Sequence, residues 1–280
     1  MRIKRLRFPG SQDYTLGAQL DLPDDEPPSA FALFAHCFTC TKNLKAAGNI
    51  NRALTQRGIA VLRFDFTGLG ESEGDFAETN FTSNVEDLIA AAGFLGAHYA
   101  PPKILIGHSL GGSAVMQAAH HISSCVAVVT IAAPCDLGHL GRVLVSTKAQ
   151  VEQQGEAEVV LGGRKFKIKK QFFDDLEQNN MQQVIANLNK PLLICHSPRD
   201  GIEHDAEELG TAEREAEPEA VGGDPASVGQ GGISGQKRCP VPMLITGAGC
   251  TVGYNIGQAK SIRMGTSAAA RVKPSRNPNP

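Results

Sequence analysis

Tryptophan is absent from this chain, and aromatic residues make up only 5% of its 280 positions. That disfavours a stacking platform for single-stranded nucleic acid, which needs successive aromatic faces. An excess of charge of one sign is also missing: 27 Lys and Arg face 29 Asp and Glu, for a net charge of −2. No general electrostatic argument therefore points to nucleic acid or an anionic membrane as a partner. No run approaches the roughly 18 uncharged apolar residues of a membrane-spanning helix. The opening "MRIKRLRFPGSQDYTLGAQL" has neither an apolar h-region nor a cleavage site. The expectation is a cytoplasmic protein with no membrane insertion. A cysteine framework is lacking as well. The seven cysteines (Cys37, Cys40, Cys125, Cys135, Cys195, Cys239 and Cys250) are odd in number and irregularly spaced. Several lie in apolar runs such as "LLICHS", and all read as reduced thiols. Cys37 and Cys40 form a Cys-x-x-Cys pair, but no second ligand pair follows to complete a zinc site. They read as loop and core thiols, and no metal or organic cofactor is expected.

What is present is a hydrophobic content of 41%, enough for a real core. "IKRLRF" and "AQLDL" read as an opening antiparallel pair. "AFALFAH", "IAVLRFDF", "PKILIGH", "CVAVVTIAAP" and "KPLLICH" read as buried strands. Helical patterns separate most of them, over 44–57, in "FTSNVEDLIAAAGFLGAHY" with Thr82 or Ser83 as N-cap, and in "SLGGSAVMQAAHHI". Strand and helix in alternation, with continuous β-branched runs, predict an α/β fold with a mostly parallel sheet covered on both faces. "AEVVLGGRKFKIKK" interrupts that rhythm with a hairpin signal around Gly162-Gly163. It belongs to a lid insertion over about 136–188. Arg164, Lys165, Lys167, Lys169 and Lys170 read as the solvated face of that hairpin. From about Gly201 the chain turns acidic and then rich in Gly, Ser and Pro, so 205–280 is expected as a low-complexity, poorly ordered tail.

"GHSLGG", Gly107 to Gly112, carries the strongest chemical signal. It has the form G-x-S-x-G, directly after a strand and directly before a helix, the context of a nucleophile elbow. Glycine at 107 and 111 leaves room for a sharp turn that lifts the Ser109 hydroxyl out of the sheet. The same turn aims the Leu110 N–H at a helix N-terminus, where negative charge is favoured. The competing reading is an ordinary glycine-rich turn. In "FAHCFTCTKN" the Phe38 N–H is the candidate second oxyanion donor, while His36 reads as a residue that braces the loop. "FDFTGLGESEG", with Asp65, Gly68, Gly70 and Ser72, reads as turn chemistry; no lysine follows to make it a phosphate loop. Asp200 in "HSPRD" lies just past a strand end and after the nucleophile in chain order, where an acid can orient an imidazole. A turn aspartate is the bland alternative.

The blocks "FALFAHCFTCTKN", "GIAVLRFDFTGLGESEG", "TNFTSNVEDL", "ILIGHSLGG", "RKFKIKKQFFDDL" and "LLICHSPRD" together resemble the hydrolase half of bacterial proteins that fuse an α/β-hydrolase domain to an OsmC-like domain. The resemblance covers about 1–204. It implies an α/β-hydrolase fold and a serine hydrolase of the esterase or acyl-hydrolase sort, acting on a small acyl substrate. It also implies a last strand, a histidine loop of Asp-His-Leu character and a closing helix. None is recognisable here, nor is the OsmC-like half. The last strand and helix are therefore expected to be missing or replaced; "VPMLIT", Val241 to Thr246, is the one run that imitates the strand.

The base is the open question. His108 precedes the nucleophile and should point away from the pocket. His98, His120 and His121 lie on or after helices, His196 reads as a loop brace, and His139 falls in the lid. His204 follows Asp200 by four residues and is the weak candidate base, because one short loop must place both side chains in line with Ser109. A plain loop histidine competes with it. Two functions stay open: ester, thioester or amide hydrolysis through an acyl-enzyme, and a hydrolase-fold protein with impaired catalysis that acts at most as a binding module.

Overall fold

The computed structural model describes residues 1–196, apart from 25, 39, 139, 141–143 and 162–163, together with the strand Thr251–Tyr254. Asp200, His204, His139, Val241–Thr246 and the acidic and glycine-rich part of the tail lie outside the described residues.

Ten strands are present among the described residues. β1 (Arg2–Pro9) and β2 (Thr15–Leu22) form the antiparallel pair expected at the start. β3 (Ala30–Ala35), β4 (Ile59–Phe64), β5 (Ile104–His108), β6 (Ala127–Ile131) and β9 (Leu192–His196) run parallel to one another. The main sheet has the order β1-β2-β4-β3-β5-β6-β9-β10. β10 is Thr251–Tyr254, antiparallel to β9. The edge beyond β9 is thus filled from within the segment expected to be a tail.

Alternation along the strands divides the core into two layers. Leu33, Leu62, Leu105 and Phe64 point into the larger cluster, while Phe34, Val61 and Ile106 point into the smaller one. Helix α1 (Lys45–Thr55) covers the smaller face through Ala47, Ile50 and Leu54. Helices α2 (Phe81–His98) and α3 (Leu110–Ala118) cover the larger face. Strands buried on both faces need the continuous apolar runs this sequence has.

The N-cap of α2 is Asn80, not Thr82 or Ser83. Its side chain accepts from the Ser83 N–H at 2.8 Å, and the Ser83 hydroxyl takes the Asn80 N–H at 3.0 Å, a reciprocal capping box. Thr82 is instead held by a lid residue: Asp175 accepts from its N–H (2.8 Å) and from its hydroxyl (2.5 Å).

The lid adds α4 (Val145–Gln154), the antiparallel hairpin β7 (Glu156–Leu161) and β8 (Arg164–Lys169), α5 (Lys170–Gln178) and α6 (Met181–Ala186). Phe166 and Ile168 face inward from β8, and Phe172, Phe173 and Leu176 from α5. The basic residues of β8 face out. Lys165 pairs with Glu158 and Lys167 with Glu156 at 2.7 Å each, while Lys169 pairs with Glu78 and Lys170 with Asp174. Hydrogen bonds to those carboxylates raise the pKa values of Lys165, Lys167 and Lys169. This is a solvated, ion-paired face.

Candidate active site

β5 ends at His108 and α3 begins at Leu110, so Ser109 alone makes the turn between them. Its backbone sits at φ 52°, ψ −127°, a conformation that is costly for a residue with a Cβ. The surroundings hold it there. The Ser109 N–H donates to the Ile131 carbonyl at 2.8 Å, and the Gly112 N–H donates to the Ser109 carbonyl at 2.7 Å. A Cβ on Gly107 would lie 2.2 Å from the Gly111 carbonyl oxygen, and one on Gly111 would lie 2.3 Å from the His36 carbonyl oxygen. Only glycine permits the elbow to close on itself and then press against the end of β3. Ser109 is half-buried.

Register brings the other parts near. Ala35 of β3 pairs with Gly107 of β5, so the chain that leaves β3 through His36, Cys37 and Phe38 passes beside the elbow. Leu110 is the first residue of α3, where a backbone N–H has no acceptor within its own helix. β6 and β9 follow β5 in the sheet, and the Ala132 N–H donates to the Cys195 carbonyl at 2.8 Å. Asp200 comes four residues after the end of β9. The sheet order therefore sets the segments that carry Phe38 and Ser109 at neighbouring strand ends, with the end of β9 two strands further along.

His36 is buried at 1% exposure. Its Nδ1 lies 2.7 Å from the Cys37 carbonyl oxygen, so Nδ1 carries the proton and donates. Its Nε2 accepts from the Phe66 N–H at 3.4 Å. Burial pushes its pKa down to about 4, against the Cys37 carbonyl and Asp65, which pull it up. Both ring nitrogens of this neutral imidazole are used in shaping the loop. It is a brace and not a base.

Phe38 is buried, and its ring meets Phe172 at 4.9 Å, Phe76 at 5.1 Å and Phe166 at 6.4 Å. The residue whose N–H is the candidate oxyanion donor is thus gripped by the lid. Sequence reading missed this link, since these aromatics are far apart in the chain. A crevice of about 390 Å³ adjoins the cluster, with Gly68, Gly74, Phe76, Arg164 and Phe166 among its lining residues.

Downstream of Phe38, Lys42 is buried and anchors the loop. Its N–H donates to Asp65 at 2.6 Å, and its ammonium pairs with the same carboxylate and with Glu71 at 3.0 Å. Arg63 donates to the Lys42 carbonyl and, at 3.2 Å, to buried Asp21. The Glu71 N–H adds 2.9 Å to Asp65. Gly70, at φ +56°, passes so close that a Cβ would sit 2.3 Å from that carboxylate. The turn reading of Asp65 is thus incomplete, because the residue is also the hub of a buried ion network.

The cysteines bring a correction. Cys37 and Cys40 are disulfide-bonded, not reduced. Their turn closes through the Cys40 N–H to the Cys37 carbonyl (3.1 Å), with the Cα atoms 5.3 Å apart, well inside disulfide reach. Cys125, Cys135 and Cys195 remain thiols. His108 does not simply turn away from this region: its ring nitrogen, Cys37 Sγ and Cys40 Sγ all lie within 4.8 Å of one another. Of the other histidines, Nδ1 of His98 lies 3.0 Å from the Phe94 carbonyl, and Nε2 of His120 lies 3.0 Å from that of Val184.

An eight-stranded, mostly parallel sheet with a strained serine between strand and helix defines the class of this chain. Over residues 32–245 it matches the model of the Alpha/beta hydrolase family, and it belongs to that family. The esterase domain of a Rhodothermus marinus protein is 52% identical, with a TM-score of 0.57 over 71% of this chain and 77% of that one. Est1E of Butyrivibrio proteoclasticus, solved with ferulic acid, shares the fold at 19% identity, with a TM-score of 0.55 over 68% and 77% of the two chains. The mitochondrial palmitoyl-protein thioesterase ABHD10 of Mus musculus is 27% identical over 168 residues, which are 58% of this chain and 56% of that protein. The chain thus spans little more than half the length of that curated relative. Among the described residues no helix is long and apolar enough to cross a membrane.

Proposed function

We propose that this protein is a serine hydrolase that cleaves a small carboxylic ester or thioester through an acyl-enzyme. The backbone of Ser109 carries the reading: a non-glycine residue held at positive φ between a strand and a helix is strain that function repays. Ser109 attacks the carbonyl carbon, and the N–H groups of Phe38 and Leu110 hold the oxyanion. Asp200 orients the base. His204 is the base this chain offers beyond β9; His36, neutral with both nitrogens engaged, is unsuited to the role. Breakdown of the tetrahedral intermediate expels the alcohol or thiol, and water then releases the acid. The 52% identity to an esterase domain supports the ester, and the mouse thioesterase supports the thioester.

The finer reading is the hydrolase half of an α/β-hydrolase/OsmC fusion, acting in the cytoplasm. The thiols at Cys125, Cys135 and Cys195 support a reducing compartment, whereas the Cys37–Cys40 disulfide argues against one. The hydrolase domain is read as 1–204, with 205–280 outside it. The change to Glu, Gly and Pro after Asp205 supports that boundary, whereas the family match running on to residue 245 and the pairing of Thr251–Tyr254 with β9 argue for a later one.

A second reading is favoured by the spacing of Asp200 and His204, only four residues apart on one segment. It is a hydrolase-fold protein whose triad is incomplete and whose pocket binds without turnover. A p-nitrophenyl ester assay separates the two. Turnover in the wild type that is lost in both Ser109→Ala and His204→Ala supports the enzyme with His204 as base. A His204→Ala variant as active as the wild type removes His204. A folded wild type with no turnover leaves the binding module.

A further inference from the structure

We propose that Cys37, Cys40 and His108, once the disulfide is reduced, form a three-ligand site for a thiophilic divalent cation such as zinc. Sequence spacing supplies half of it: Cys-x-x-Cys is the separation at which two thiolates converge on one ion. The sheet supplies the rest. β3 and β5 are hydrogen-bonded neighbours with Ala35 opposite Gly107, so the residues just past that pair approach each other. The two sulfurs and an imidazole nitrogen of His108 lie within 4.8 Å of one another. A tetrahedral site with such ligands needs them about 3.8 Å apart, which follows from metal–ligand bonds of about 2.0–2.3 Å. The displacement required is on the order of an ångström, within what a turn and a side-chain rotation supply.

Charge and softness favour the same occupant. Two thiolates neutralise a dication, and the neutral imidazole adds no charge. A neutral assembly can sit beside buried Cys37 without the cost of burying a net charge. Sulfur and imidazole donors suit zinc or cobalt and not magnesium or calcium, which need oxygen ligands. Three protein ligands leave a fourth position open to solvent.

Occupancy is conditional on redox state, since the disulfide-bonded pair has no thiolate to offer. Cys40 is the more open of the two. A thiolate of an external dithiol attacks its sulfur, breaks the Cys37–Cys40 bond and expels the Cys37 thiolate. The second thiol of the reagent then displaces Cys40, leaving a cyclic disulfide of the reagent and two reduced cysteines. The protein gains the two electrons that the reagent loses. Metal binding then releases the two thiol protons to solvent. Because Cys37 precedes Phe38 and His108 precedes Ser109, the bound ion ties together the two segments that form the oxyanion hole.

The test uses the full chain, reduced with a dithiol and desalted without air, and titrated with Co²⁺. One equivalent should bind, with a thiolate-to-cobalt charge-transfer absorption that Zn²⁺ abolishes. His108→Gln should weaken binding at least tenfold, and Cys40→Ser should diminish the absorption by half or more. A variant with Cys125, Cys135, Cys195, Cys239 and Cys250 all changed to Ser should keep it. Oxidised protein, its Cys37–Cys40 bond verified by peptide mass, should bind none. Where a variant does not fold, the wild type gives the answer directly: Co²⁺ should shield Cys37 and Cys40 from iodoacetamide. No thiolate absorption in the reduced chain, an undiminished band in Cys40→Ser, or shielding confined to other cysteines would overturn the proposal. Because the readout is binding and not turnover, it is independent of the esterase reading.

Discussion

At the scale of single residues, the proposed chemistry rests on Ser109. Ser109→Ala should lower ester turnover by on the order of 10⁴–10⁶-fold while the thermal midpoint holds, as steady-state kinetics and calorimetry will show. His36 makes a different prediction. Burial holds its folded-state pKa at about 4, below the ordinary value of 6.5. Between those values the unfolded chain binds a proton that the folded chain does not. Stability therefore rises with pH through that window and is lost as pH falls from 6.5 toward 4. The contribution is on the order of 3 kcal/mol. Urea titrations across the window should show it, with a shallower dependence in His36→Gln. The turn at Ser109 was legible because Gly107, Gly111 and the strand-to-helix context are local. The convergence of His108 on the cysteine pair was not, because 68 positions separate His108 from Cys40 and only sheet register joins them.

At the scale of elements, the lid is stitched to the body at two places. Asp175 of α5 binds the first turn of α2 through Thr82, and the Phe38 ring sits among Phe76, Phe166 and Phe172. Asp175→Ala should cost about 1 kcal/mol, the usual price of a lost N-terminal cap, read as a shift in the denaturant midpoint. Phe166→Ala should cost about 3 kcal/mol. It should also speed proteolytic nicking of the hairpin and reduce kcat/KM, because the loop of Phe38, the proposed oxyanion donor, loses its packing partner. The hairpin was legible from alternation on either side of Gly162-Gly163. Helix α4 was not, since its one turn of buried contacts, Thr147 and Val151, gives a weak apolar stripe. The Asn80 cap could not be told from Thr82 or Ser83 in the sequence, because the partner that occupies Thr82 comes from a helix 93 residues away.

At the scale of the whole molecule, the parallel sheet was written in the apolar strand runs, and only its far edge was not. Thr251–Tyr254 is short, follows a glycine-rich stretch and lacks the alternation that marks a strand, so pairing with β9 declares it and its own sequence does not. Across the sheet, a buried chain of charges from Asp21 through Arg63 and Lys42 to Asp65 ties the β2–β4 region to the loop that carries Phe38. Removing one partner strands the others in the interior. Asp65→Ala should therefore cost about 3–5 kcal/mol by calorimetry and abolish turnover with it.

The account's central claim is that Ser109 is the nucleophile of an acyl-enzyme. Reaction of the full chain with a fluorophosphonate probe, followed by peptide mass analysis, tests it most directly. The account predicts one adduct per chain on the peptide that contains Ser109, its loss in Ser109→Ala, and loss of ester turnover in step with labelling. Labelling at another residue, or ester turnover unchanged in Ser109→Ala, would contradict it.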